Sequence, residues 1–319
     1  MKTINIMTSC DENLMKYIPV QLESITTNLP DKQINFYLFH DGKNIDNVNK
    51  LRELEYTNIK FHDVIVNDLE IYDNIAKRGG MWCGAAYYSL CAHKYLPDDM
   101  DRIYYIDAGD VMVIGNIDEY YFADFENKSL IATSIMYKVE DENLSTFKRE
   151  DLFDRNYLAG IARGLFNSGS YVMNLNKIRK KKYTLKDYEQ LAELIYNARG
   201  KLDRTYYGDQ GFLSLIYIGD IKFYAYPKIT NLLYMPYNFC LWYFDKSDEK
   251  LNYNPAIIHY VGDNIIKPWQ GIYKKFLKLF QDKDKLQSFD KLKSNQIEFY
   301  NIWYKYAEMA NKRLERQRL

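Results

Sequence analysis

Hydrophobic and polar positions follow two different periods along this chain. Ile4-Asn-Ile-Met7, Ile34–Phe39 and Ile59–Val64 are short runs rich in β-branched and aromatic residues, as strands are. Between them, Tyr17–Asn28 (with Ile18, Leu22 and Ile25 apolar) and Ile45–Leu54 repeat apolar residues at helical spacing. Strand–helix alternation of this kind predicts a mostly parallel sheet with helices on its faces. Gly79-Gly80 interrupts the pattern. Ala85–Leu96 then predicts a helix leading into Arg102–Ile106, which reads as a strand buried within the sheet. Further on, Ile117–Tyr121 predicts a short helical turn and Ser129–Thr133 a strand. Phe166–Leu175 reads as a Gly-containing turn followed by a strand, and Tyr183–Arg199 as a helix. Tyr207–Tyr217 reads as a polar cap entering an apolar helix, and Pro255–Asp263 as a strand ending in a Gly turn. Residues 134–165 have mixed charge and weak periodicity, as a lid, an acceptor-binding loop or a variable surface loop would.

The polar residues that interrupt these runs collect at strand ends, where sheets of this type bind ligands. Arg102–Ile106 runs straight into Asp107-Ala-Gly-Asp110. Two carboxylates beside a buried strand are costly unless they are hydrogen-bonded or hold a cation. Asp and Gly are also ordinary turn residues, and this stretch alone leaves both readings open. Thr8–Asn13 follows the first strand and shares that edge of the sheet. It contains neither GxGxxG nor GxxxxGK[ST], which weighs against a dehydrogenase or a P-loop protein. Asp209 has the look of a helix N-cap. His259 stands at a strand end before a Gly turn, whereas His40, His62 and His93 have no motif around them and read as core residues.

Composition narrows the class. With 319 residues, 47% of them hydrophobic, the chain can build one large α/β domain with appendages or two modest domains. Its 43 basic and 43 acidic side chains cancel, so nothing in the charge points to nucleic acid. The four cysteines form no CxxC or Cys/His pattern, against a zinc site or a disulfide scaffold. Met1–Ile6 leads into a strand rather than a long apolar segment, and no window reaches the length of a membrane span, so the expected location is cytoplasmic. From Ile272 the chain mixes basic and bulky apolar residues, as in Tyr273–Phe280, Phe299–Tyr304 and Asn311–Leu319. Two readings fit residues 271–319: helices packed on the domain, or a peripheral contact of 273–319 with the inner face of a membrane.

Five stretches, in order, resemble the family 8 retaining glycosyltransferases, which include bacterial lipooligosaccharide galactosyltransferases and glycogenin. They are Thr3–Asn13, Arg102–Asp110, Phe166-Asn-Ser-Gly169 with Asn174-Leu175, Asp209-Gln210, and His259-Tyr-Val-Gly262 with Lys267-Pro-Trp269. The resemblance implies a single Rossmann-like domain of the GT-A type over residues 1–270, with 271–319 as a C-terminal helical extension. It further implies transfer of galactose or glucose from a UDP-sugar to a glycan, glycolipid or glycoprotein, with retention of configuration. Asp107, Asp110 and His259 would hold Mn²⁺ or Mg²⁺. Ser9, Asp11, Asn13, Asp107, Ala108, Gly262 and Lys267 would contact the nucleotide, and Asn167, Asp209 and Gln210 would be the catalytic residues at the donor sugar. The residue types suit that chemistry. Charge grows on the β-phosphate oxygen as UDP leaves, and a cation held by carboxylates and an imidazole, with a Lys, meets it. Gln210 can lie against the sugar without ionising.

Three positions depart from the family pattern. Asp-Ala-Gly-Asp replaces Asp-x-Asp, and in an unbroken strand Asp107 and Asp110 would point to opposite sides. A bulge at Gly109 would re-aim Asp110. Leu14 stands where an aromatic often flanks the base, and Ser89 where an Arg often meets the donor. A non-catalytic nucleotide-sugar-binding protein of the same fold and a metal-dependent nucleotidyltransferase are the alternatives.

Overall fold

The computed structural model describes residues 2–43, 45–79, 83–134, 166–199, 208–225, 239–240, 255–261, 267–270 and 294–316. Among the described residues ten strands are formed: β1 Thr3–Ser9, β2 Gln33–His40, β3 Ile59–Ile65, β4 Arg102–Ile106, β5 Val111–Val113, β6 Leu130–Ser134, β7 Phe166–Asn174, β8 Ile221–Ala225, β9 Phe239–Cys240 and β10 Ile257–His259. Seven of them make one sheet in the order β3-β2-β1-β4-β7-β6-β8. β3, β2, β1 and β4 run parallel, β7 is antiparallel to both β4 and β6, and β6 and β8 are parallel. The remaining three form a small sheet, β5-β10-β9.

Strand residues alternate between two cores, as the pleat dictates. Met7, Tyr105 and Tyr171 point to one face, where they pack with residues of the helices Leu185–Arg199 and Gly208–Ile216. Ile6, Tyr104 and Val172 point to the other, where Ile18, Leu22 and Ile25 of the helix Ile18–Asn28 meet them. Strands buried on both faces read as nearly continuous apolar runs, which is why Arg102–Ile106 is so apolar.

Several elements differ from the expectation. Leu69–Gly79 is a helix that was not anticipated, although Leu69, Tyr72 and Ala76 carry the helical period. Gly84–Lys94 is 3₁₀ rather than α-helical, with non-helical backbone at Cys91. Phe166–Asn174 is one uninterrupted strand with no turn at Gly169. β10 is only three residues long, and its pairing with β5 and β9 could not be read from local pattern.

The helix Ser294–Arg316 packs along Ile18–Asn28 and closes a third core. Tyr300, Trp303, Tyr304, Tyr306, Ala307 and Ala310 join Tyr17, Val20, Met112, Ile258 and Tyr260. The aromatic residues that the sequence offered to a membrane are, over this helix, inside the protein. Residues 271–293 lie outside the described residues. No helix among the described residues is long and apolar enough to cross a membrane.

The two helices are also joined by charge. Arg313 Nε donates to Glu23 Oε1 at 2.5 Å, its Nη1 donates to Glu55 O at 2.6 Å, and the guanidinium lies 4.1 Å from the Tyr56 ring centroid. Glu23 is 1% exposed, so its carboxylate depends on that partner. Arg313→Ala is expected to lower unfolding stability by about 3 kcal/mol, since it strands a buried charge. Glu23→Gln with Arg313→Met should recover part of the loss. Denaturant midpoints of the single and double variants check both expectations.

Candidate active site

The acidic turn is built where β4 leaves the main sheet and β5 begins the small one. Asp107 N still donates to Gly169 O at 3.0 Å, continuing the β4–β7 ladder by one residue. Gly109 then adopts φ +77°, and a Cβ there would lie 2.9 Å from Tyr17 Cβ, so both backbone and space call for glycine. This reversal brings Asp110 to the same side as Asp107, as a bulge at Gly109 would. β10 pairs antiparallel with β5, His259 opposite Val111, which delivers the imidazole beside the residue following Asp110.

Three potential ligand atoms therefore converge from two sheets. One atom each from Asp107, Asp110 and His259 lie within 4.8 Å of one another. His259 Nε2 is 3.6 Å from Asp107 Oδ2 and 3.7 Å from Asp110 Oδ1, too long for hydrogen bonds. Asp110 Oδ1 is buried and accepts no hydrogen bond, while Oδ2 of the same carboxylate pairs with Lys267 Nζ. Lys267 is in turn held by Tyr260 O at 2.9 Å.

The other side of the imidazole fixes its tautomer. His259 Nδ1 is 2.9 Å from Asn167 Oδ1, which also accepts from Gly169 N at 3.1 Å, and Asn167 Nδ2 donates to Gln210 Oε1 at 3.1 Å. With Oδ1 as acceptor, Nδ1 carries the proton and Nε2 presents its lone pair to the carboxylates. Burial lowers the His259 pKa to about 4 against the pull of Asp110, so the ring is neutral near pH 7. Burial, then the charges of Asp110 and Asp209, push Asp107 well above the usual carboxylate range, although Tyr105 and Lys267 act the other way. Asp209 is raised to about 6 by burial, against a hydrogen bond from Ser168. Crowded carboxylates, an acceptor oxygen with no donor and a neutral imidazole form an O,O,N donor set suited to a divalent cation such as Mn²⁺ or Mg²⁺.

The other residues named from sequence fall as follows. Ser9 Oγ is 3.2 Å from Tyr105 OH, which donates to Asp107 Oδ1 at 3.0 Å, so the end of β1 is wired to the end of β4. Asp11 caps the short helix Glu12–Met15, accepting from Asn13 N and Leu14 N at 3.0 and 3.2 Å, and Asn13 Nδ2 also binds it at 3.2 Å. Ala108 is buried in the acidic turn, and Gly262 lies outside the described residues. Asp209 and Gln210 sit in the first turn of Gly208–Ile216, one residue or more inside the helix rather than at its cap. Ser89 is 1% exposed and Leu14 packs beneath the core, so neither supplies a charge or an aromatic face. Sequence reasoning passed over Gln21, Tyr105 and Trp303. Gln21 did carry a signal, as a polar residue inside the run Ile18–Ile25, all eight of which are buried.

The sequence profile of Glycosyl transferase family 8 matches residues 5–273, most of the chain. This chain belongs to that family. It is 28% identical over 225 residues to a putative glycosyltransferase of Haemophilus influenzae, covering 70% of this chain and 62% of that protein. It is 21% identical over 267 residues to the lipopolysaccharide 1,3-galactosyltransferase of Salmonella typhimurium, covering 84% and 73%. Among solved structures, the galactosyltransferase LgtC in complex with donor and acceptor sugar analogs superposes with a TM-score of 0.61 at 19% identity, covering 96% of each chain. The glycosyltransferase GlyE of Streptococcus pneumoniae gives 0.59 at 14% identity, covering 99% of this chain and 63% of that one. The fold of this family 8 member is GT-A, a mixed and largely parallel sheet with helices on both faces.

Two outcomes follow from the geometry. A Cβ at residue 169 would run into the His259 ring and lie 2.8 Å from Asp107 Oδ2, so Gly169→Ala is expected to remove any binding of a divalent cation by this candidate cluster while the remainder of the fold survives. Calorimetric titration with Mn²⁺, beside circular dichroism, reads the two separately. Asp209 has a folded pKa raised to about 6, above its unfolded value, so the folded protein binds its proton more tightly. The stability this contributes is present below the unfolded pKa and is lost as pH rises through about 6. In metal-free protein, Asp209→Asn should therefore gain on wild type by on the order of 1–3 kcal/mol between about pH 4 and pH 7. Parallel denaturation series across that range check the sign.

Proposed function

We propose that this glycosyltransferase is a metal-dependent hexosyltransferase that moves galactose or glucose from its UDP-sugar to a glycan or glycolipid with retention of configuration. The observation that carries the reading is the convergence of Asp107, Asp110 and His259 beside Lys267. Support for the acceptor class comes from relatives named as lipopolysaccharide galactosyl- and glucosyltransferases. Such an acceptor would put the enzyme in the cytoplasm, at the inner membrane face. There the basic residues of 273–319, rather than the aromatic residues buried on the helix Ser294–Arg316, would meet the surface.

When bound, Mn²⁺ or Mg²⁺ supplies Lewis-acid charge opposite the diphosphate of the donor. The chain's own residues do the rest. Asp107 and Asp110 bring the negative charge that holds the ion, and His259 joins them as a neutral nitrogen donor. Lys267 stands on Asp110 and offers its ammonium to the leaving diphosphate oxygen as that oxygen gains charge. Asn167 holds His259 on one side and Gln210 on the other, so the metal side and the sugar side share one hinge. Gln210 orients the donor sugar through an amide that neither ionises nor forms a stable ester. The acceptor oxygen bonds to the anomeric carbon on the face from which UDP departs, and its proton passes to the departing phosphate oxygen. Ser9, Asp11 and Asn13 lie at the end of β1 and frame the nucleoside, with Gly262 in the segment after His259.

The test is release of UDP from UDP-galactose and UDP-glucose with Mn²⁺ and with chelator. Wild type should release UDP only with metal, and Asp107→Ala should lose at least about a hundredfold in turnover. Lys267→Ala should lower kcat by about a hundredfold with KM little changed, because its charge acts mainly on the departing group. UDP-sugar that binds and is never cleaved would mark a non-catalytic binder, and pyrophosphate as product would mark a nucleotidyltransferase.

A further inference from the structure

The Asp107–Val111 turn is held from outside itself. The carbonyls of Asp107, Gly109, Asp110 and Val111 each accept a hydrogen bond from another element. One amide, Gln21 Nε2, donates to both Asp107 O at 2.8 Å and Val111 O at 3.0 Å, spanning the turn from its first carboxylate to the residue after its second. Trp303 Nε1 donates to Gly109 O at 3.0 Å, on the residue whose positive φ makes the reversal. Tyr260 N donates to Asp110 O at 2.8 Å. Gln21 and Trp303 are both fully buried.

The same C-terminal helix reaches the Lys267 side. Tyr304 OH donates to Pro268 O at 2.6 Å, and Tyr260 OH donates to Phe299 O. Trp269 stacks on Tyr17 at 4.4 Å between centroids, and both rings lie about 6 Å from Trp303, at 6.0 and 6.2 Å. The helix Ser294–Arg316 therefore grips the acidic turn and the Lys-Pro-Trp segment together, although it lies beyond the residues matched to the family, 5–273.

We propose that Gln21 and Trp303 are positioning residues of the metal site. They hold the four-residue turn Asp-Ala-Gly-Asp in the shape that puts Asp110 beside Asp107, which makes the C-terminal helix a working part of the catalytic centre. The physical need is specific. An extended chain would send Asp107 and Asp110 apart, and a glycine at positive φ gives its peptide the freedom to rotate. Rotation of that peptide swings Gly109 O and carries the Asp110 side chain away from His259. In a buried site no water replaces the lost hydrogen bond, so a donor aimed at Gly109 O and a clamp across Asp107 O and Val111 O fix the turn.

This inference rests on the metal-dependent reading above, and the experiment separates the two. Mn²⁺ affinity is measured in the presence of UDP from the electron paramagnetic resonance signal of free Mn²⁺, alongside thermal unfolding. The proteins are wild type, Trp303→Phe, Gln21→Met and Tyr306→Phe. Trp303→Phe and Gln21→Met remove the donors while keeping most of the buried volume. Tyr306→Phe is the structural control, since it removes a hydroxyl that accepts from Asn28 Nδ2 on the same pair of helices. Expected is about a fivefold or greater loss of Mn²⁺ affinity in Trp303→Phe and Gln21→Met, and wild-type affinity in Tyr306→Phe, whatever their unfolding temperatures. Unchanged affinity in either donor variant overturns the proposal and leaves the helix a packing element. If one of these variants does not fold, the other, on a different helix, carries the test. Wild type that binds no Mn²⁺ with UDP overturns the metal reading itself, and the proposal with it.

Discussion

The feature on which the site depends is a backbone reversal at one glycine. Asp107 ends a strand of the main sheet and Asp110 precedes a strand of the small one. An extended chain would send their carboxylates apart. Gly109 at φ +77° turns the second carboxylate back, and the close approach of Tyr17 leaves no room for any side chain there. Around that reversal the other elements take their places. β10 pairs with β5 in the register that sets His259 beside the turn, and the helices Ile18–Asn28 and Ser294–Arg316 press on it from the opposite side. Gly169 answers the same demand from β7, since the His259 ring occupies the space its Cβ would need.

The electrostatics of the cluster are unbalanced by design of its neighbours. Asp110 is buried and Asp107 and Asp209 are half-buried in one region, where Lys267 pairs with Asp110 and His259 is held neutral by burial. Folding that arrangement costs free energy at neutral pH, and the cost appears as raised carboxylate pKa values on Asp107 and Asp209. A divalent cation reverses the balance, because it favours ionised carboxylates and a deprotonated Nε2 together. The site is thus least stable in the state in which it is most ready to bind, as pre-organised binding sites commonly are.

Much of this was legible in the sequence, and the reasons for the gaps are physical. Local period alone marks β1, β2, β3 and β4, because apolar runs between polar breaks survive any tertiary arrangement. The acidic strand end and the His–Gly–Lys-Pro-Trp element could be named as candidate chemistry before their distances were known. What local pattern could not give was pairing between distant segments. β10 lies within the strand expected over Pro255–Asp263, but β5 and β10 are three residues each and meet across more than a hundred positions of chain, so neither period nor composition announces their pairing. Gly169 was misread as a turn because a glycine in a polar triplet usually is one. Here the glycine is in a strand, and the reason is a ring arriving from β10. The basic and aromatic tail shows the same limit. Amphipathic pattern says that Tyr300, Trp303, Tyr304 and Tyr306 want an apolar surface, and only the tertiary fold says that the surface is the protein's own.

The proposed ligand set also divides between the two sheets, which would tie catalysis to the stability of their joint. Asp107 and the Asn167–Gly169 segment belong to the main sheet, while His259 and the strand following Asp110 belong to the small one. An ion held by all three side chains is therefore a crosslink between sheets as well as a Lewis acid. Its binding free energy is realised only when the sheets are docked, so it adds to the stability of the docked state through linkage. Asn167 extends that crosslink to Gln210 on the helix Gly208–Ile216, through two hydrogen bonds in series. A shift of the small sheet would move His259, then Asn167, then the Gln210 amide proposed to face the donor sugar. Under the proposed function, metal occupancy and sugar orientation would on that account be one variable, with the narrow space around Gly169 keeping the connection stiff.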